Sequence, residues 1–222
     1  MFARDRDLMV YEPGLFEHVA WSAQTLFRDR DAALDAGGTL LLVSGADLPA
    51  LGVGVGSVLK LAELGLCEVA DASGSNQLTV SRLRAEPDGP AVPVSAGAWA
   101  GKASCGTFAP QIGAVHRTLL RALGVEPGQA PPDTDANDDT VFASQILNGH
   151  ELAEVEALGA LHLILAGAAA LAAPSSPMWV RAEHYRKRFH EARAVVGASI
   201  DLDGDGEPEV LRRINVMRLV RH

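Results

Sequence analysis

The residues best suited to chemistry lie in the run Asp201-Leu202-Asp203-Gly204-Asp205-Gly206-Glu207-Pro208-Glu209. Carboxylates occupy the first, third, fifth and ninth places of a calcium-type loop, and glycine occupies the sixth, where the chain must turn sharply. Asp201, Asp203, Asp205 and Glu209 are therefore candidate metal ligands, and Ca2+ is the cofactor such a set would take. The twelfth place, which needs a bidentate carboxylate in a loop of this kind, is Arg212. An acidic turn that stops a helix and redirects the chain through Asx-type bonds accounts for the same residues without a metal.

Beyond this loop the sequence interleaves bulky apolar residues with arginines. Arg212, Arg213, Ile214, Val216, Met217, Arg218, Leu219 and Arg221 are candidate partner-binding residues. The apolar members would anchor in a groove and the guanidinium groups would set specificity. The alternative is a terminal helix or strand packed on its own subunit. Nucleic-acid binding fits less well, because few aromatic residues accompany the arginines.

Other chemistry is hard to assemble. The seven histidines are scattered, and neither HExxH nor GxSxG occurs, so no catalytic residues are assigned and no enzyme is expected. His162 lies in an apolar run and reads as a satisfied core histidine, whereas His184 and His190 fall on the charged side of a helix. The pair Asp138 and Asp139 belongs to an acidic, proline-containing loop. Glycines at alternate positions in residues 52–57 lack the strand-turn-helix context of a dinucleotide site and read as a tight turn or bulge between strands. Cys67 and Cys105 lack metal or redox spacing and are expected to be buried thiols.

The chain has 222 residues, 48% of them hydrophobic, and a net charge of −9. It can bury a core, and its charge opposes any general attraction to nucleic acid or anionic membrane. The charged first residues lack the apolar stretch of a secretory signal, so synthesis in the cytoplasm is expected. Residues 157–173 fall short of a membrane span and read as a buried helix.

These patterns give an α+β chain. Pro13 suggests a helix through Leu15, Phe16, Val19 and Ala20, and residues 25–27 allow a strand. Short β-type runs at 39–43, 58–62, 66–70 and 77–83, separated by turn residues, predict a small antiparallel β-barrel or sandwich over residues 1–85. Residues 86–108, rich in proline, glycine and alanine, read as a linker or excursion. Residues 109–200 are expected to form a helical bundle: a helix over 109–123, bounded by Pro110 and Gly124, a long apolar helix over 151–172, and a third from Ser176-Pro177 to about Ser199. The third has an apolar stripe of Met178, Ala182, Tyr185, Phe189, Ala192 and Val196. Residues 201–222 make up the Asp-Gly loop and a docking arm.

With its helices at 158–172 and 179–194 (including the segment AEHYRKRFHEAR), IDLDGDG and a tail containing RRINVMRLVR, the chain resembles the head–tail adaptor, or connector, proteins of tailed bacteriophages and gene-transfer-agent-like particles. The match covers residues 109–222; minimal adaptors lack the N-terminal domain. The resemblance implies a structural subunit made in the host cytoplasm and residing in the virion neck. Its partners would be the portal protein, a stopper or tail-completion protein, and its own copies in a homo-oligomeric ring, expected to be a dodecamer. Packaged DNA would pass through the channel without sequence-specific binding, and no membrane would be involved. The alternatives are a calcium-dependent binding module centred on residues 201–209 and another neck or tail structural protein.

Overall fold

A computed structural model of the chain describes residues 1–129, 140–172 and 176–214. It divides the chain into two compact units, Arg4–Ala109, and Met1–Ala3 with Pro110–His222. The acidic residues expected in a loop at 133–139 lie outside the described residues, as do Val216, Met217, Arg218, Leu219 and Arg221.

The unit Arg4–Ala109 is built on a closed six-stranded barrel. Its strands are β1 (Thr25–Leu34), β2 (Leu40–Val43), β3 (Val58–Leu61), β4 (Gly65–Asp71), β5 (Gln77–Ser81) and β6 (Trp99–Gly106), in the order β1-β2-β5-β4-β3-β6, with β6 pairing back to β1. All neighbours are antiparallel. The structure thus resolves barrel against sandwich in favour of the barrel. Alternation supplies the interior: Leu41, Val43, Leu59, Leu61, Cys67, Val69, Leu78, Val80, Ala103 and Cys105 are buried together. Both cysteines are free thiols, and burial pushes that of Cys67 up to about 12.

Two departures from the sequence reading concern closure. Residues 86–108 are not all linker, because 99–106 form β6, which joins β1 to β3. β1 runs through Arg28-Asp29-Arg30-Asp31, with breaks in register around Phe27 and a left-handed Asp29 whose amide donates to Ser104 Oγ at 2.9 Å. Such bulges bend a strand strongly enough to close a sheet. The β1–β2 turn is fixed by Asp35, whose carboxylate accepts the amides of Leu40 and Thr39 and is held below its usual range by them. Gly38 in that turn is left-handed, and a β-carbon there would lie 2.2 Å from the Ser95 carbonyl oxygen.

Helix α1 (Asp5–Tyr11), which sequence reasoning did not foresee, and the short α2 (Leu15–His18) lie within the same unit. Leu8, Met9, Leu15, Val19 and Phe108 are buried, and Phe108 packs against Phe16 and Trp21 at ring-centre distances of 4.9 and 5.6 Å. The outer face of β4 carries Glu68, which is fully buried. Its carboxylate accepts from Arg6 Nε of α1 and from the amide and Nε of Arg84, both at 2.8 Å. Arg6 also donates to the Arg84 carbonyl, and Arg84 to the Gly89 carbonyl. One carboxylate therefore ties the first helix and the segment after β5 to the barrel.

The other unit contains α3 (Ala109–Leu123), α4 (Gly149–Ala170), α5 (Pro177–Val195) and a hairpin of β7 (Gly197–Ile200) with β8 (Val210–Arg213). α3 has the bounds expected from Pro110 and Gly124. The Ser176 side chain caps α5 by accepting the Met178 amide, and Ala182 and Tyr185 are buried on the expected stripe. α5 ends four residues before its expected end, where β7 takes over. α4 is long and apolar enough to cross a membrane by length and composition, and 61% of its most apolar stretch is buried. Its Gly159 is the point of closest packing: a β-carbon there would sit 2.8 Å from Val115 Cγ1 and 2.9 Å from the Phe189 ring. Gly159→Ala is expected to lower stability. Overpacking costs about 1–3 kcal/mol and outweighs the gain of about 1 kcal/mol in helix propensity. A thermal midpoint at or above that of the parent protein would contradict this.

Candidate metal loop and its surroundings

Asp201–Glu209 does not end a helix. The pairs Gly197↔Arg213 through Ile200↔Val210 make it the loop of a β-hairpin. The hairpin is anchored on the segment before α4: the Asp201 amide donates to the Gln145 carbonyl, and the Asn148 side chain bonds both Gly197 and Ser199.

Within the loop, Asp201 is the buried residue, and its two oxygens accept the amides of Gly204 at 2.6 Å and Gly206 at 3.0 Å. Asp203 accepts from Asp205, Asp205 from Glu207, and Glu209 from Leu202. Gly204 and Gly206 are left-handed, the backbone that these contacts require. As a result, ligand oxygens of Asp201, Asp203, Asp205 and Glu209 all lie within 4.8 Å of one another. At that spacing each carboxylate pair repels by about 1 kcal/mol in water. The donated amides offset part of this, and a divalent cation would offset more. The four residues fit a hard, oxygen-bound ion with an incomplete protein ligand set.

The structure also shows what replaces the missing twelfth ligand. Arg212 donates from Nη1 to the carbonyls of Leu123 and Gly124, acceptors that the end of α3 leaves without a helical partner. Ile214 is buried in the core formed by Val115, Leu119, Leu152, Val155, Ala198 and Ile200. This corrects the expected docking arm at its start. Arg212 and Ile214 serve their own unit, since β8 returns along β7, while Arg213 and Leu211 are exposed.

Sequence reasoning missed a second polar site. Glu156 of α4 is fully buried, accepts the amides of Phe2 at 2.9 Å and Ala3 at 2.8 Å, and bonds His116 Nδ1 of α3. The His116 ring lies edge-on to Phe2. A carboxylate between Val155 and Ala157, in the apolar part of a helix, was the signal, because a buried charge needs partners. His162, by contrast, is half-buried and bonds the Ala182 carbonyl at 3.1 Å, which links α4 to α5 as expected for a core histidine. His184 and His190 are exposed.

The fold is thus α+β, with a closed antiparallel barrel in one unit and helices with an acidic hairpin in the other. No protein-family model, curated protein or solved structure matches the chain.

Proposed function

We propose that this chain is a non-enzymatic assembly subunit, the head–tail adaptor of a tailed phage or gene-transfer-agent-like particle. It would form a ring between the portal and the stopper or tail and line the channel through which DNA passes. The observation that carries the reading is the set of large apolar residues left exposed on and beside the two long helices. Leu171 is 81% exposed, Val180 74% and Val195 80%, with Leu163 and Trp179 also exposed. Large apolar residues left open along two adjacent helices are candidates for cover by another protein. On this reading α3, α4 and α5 form the adaptor's helical bundle, Arg213 and the residues beyond Ile214 dock on the portal, and the net charge of −9 limits adhesion to passing DNA. Native mass spectrometry with and without the portal protein of the same particle tests this. A ring that joins the portal is the expected result, and a chain that stays monomeric and never joins it defeats the reading.

The convergence of four carboxylates favours a second reading, a calcium-dependent binding module. If calcium fills the loop, ten times its Kd should raise stability by about 1.4 kcal/mol. Asp203→Ala should abolish that gain. A denaturation midpoint that is the same in calcium and in chelator sinks the reading.

A further inference from the structure

Charge is unevenly placed within the unit that contains the long helices. α5 holds Arg181, Arg186, Lys187, Arg188 and Arg193 against Glu183 and Glu191, a net of +3 on a chain whose total is −9. The hairpin loop holds Asp201, Asp203, Asp205, Glu207 and Glu209 with no cation, a net of −5. Both surfaces face solvent: Arg186 and Lys187 are exposed, as are Asp203, Asp205 and Glu207. Arg186 pairs with Glu183 and Lys187 with Glu191 along the helix, but exposed pairs of this kind are weak and exchange readily.

We propose that α5 of one subunit docks on the Asp-Gly hairpin loop of a second copy of this chain. Arg186 and Lys187 would face Asp203, Asp205 and Glu207. The occupant follows from charge: the chain's most acidic described loop and its most basic helix are complementary, and every copy carries both. Because two different surfaces meet, the contact is head-to-tail, and repeating it closes a ring or extends a filament. The inference rests on the adaptor reading only for ring closure. The contact itself is a property of this chain alone.

Sedimentation equilibrium of the full chain tests it with three variants: Arg186→Glu with Lys187→Glu, Asp203→Lys with Asp205→Lys, and all four together. The parent should associate at low salt and come apart near 1 M sodium chloride, where the screening length is about 3 Å. Each reversed side should weaken association by roughly tenfold or more, and the fourfold variant should regain it. If a reversed variant loses its circular dichroism, the neutral forms Arg186→Gln with Lys187→Gln and Asp203→Asn with Asp205→Asn take its place. Single-chain mass under all conditions, or an assembly indifferent to both reversals, overturns the contact. So does an assembly that requires added calcium and ignores the swap. Portal capture, measured separately, distinguishes the failures: a monomer that joins the portal removes this contact but keeps the adaptor, whereas a swap-sensitive oligomer that ignores the portal does the reverse.

Discussion

Replacing Glu68 with alanine is expected to destabilise the barrel unit by about 3–5 kcal/mol, a large part of the total stability of most domains. The side chain is fully buried on the outer face of β4 and accepts three hydrogen bonds from Arg6 and Arg84. Removing it leaves two largely buried guanidinium groups, and Asp7, at 3.1 Å from Arg6, compensates only one of them. The expected loss comes from those stranded charges more than from the pair's own attraction, which desolvation largely cancels. A triple change, Arg6→Met, Glu68→Leu and Arg84→Met, should therefore cost much less than Glu68→Ala alone. Hydrogen exchange of β4 and β5 peptides, with and without denaturant, measures both. Equal losses in the single and triple variants would show that the network contributes attraction rather than merely satisfying buried charge.

The second large effect is a pH dependence set by Asp5. Burial pushes its carboxyl up to about 6, against the opposing hydrogen bonds from the Thr107 hydroxyl at 2.6 Å and the Phe108 amide at 2.7 Å, and the charge of Asp7 adds to the rise. The ordinary value is 3.8. Between these values the folded protein binds more protons than the unfolded chain, so stability falls as pH rises. The contribution is fully present below about pH 4 and is lost as the pH passes through about 6, a total of about 3 kcal/mol. Asp5→Asn stays neutral throughout, so subtracting its stability curve from that of the parent isolates the effect from other carboxylates. Asp35 and Glu183, held low by donated hydrogen bonds, drive the opposite slope in both proteins and cancel in the difference. Parallel curves between pH 4 and 6 would mean that Asp5 is not buried in the protonated form.

How much of this was legible depended on whether local residues or distant partners decide an element. Pro110 and Gly124 bracket α3, and Ser176-Pro177 starts α5; their caps are local, so sequence alone located them. The runs at 58–62, 66–70 and 77–83 are short β-type stretches set off by turn residues, the last of them alternating, and they appeared as β3, β4 and β5. β6 was hidden because Ala100, Gly101, Ala103 and Gly106 give little β signal, and only pairing on both sides makes the segment a strand. The charged middle of β1 was hidden likewise. At the acidic loop, residue types pointed correctly to converging carboxylates, but the two flanking strands of four residues were too short to announce a hairpin. Arg212 and Ile214 therefore looked like parts of an arm. Glu156 and Glu68 could be recognised as unusual, but partners 16 to 154 residues away cannot be read from spacing.

Glu156 also sets a schedule for the chain's maturation. The amides of Phe2 and Ala3 leave the ribosome well before the carboxylate that receives them, which follows more than 150 residues later. At about 5–20 residues per second, that interval is roughly 8–30 s. All six barrel strands emerge within it, since β6 ends at Gly106. The unit containing the acidic hairpin is therefore completed after the barrel strands have emerged, and Phe2 and Ala3 wait for it through the synthesis of a whole intervening unit.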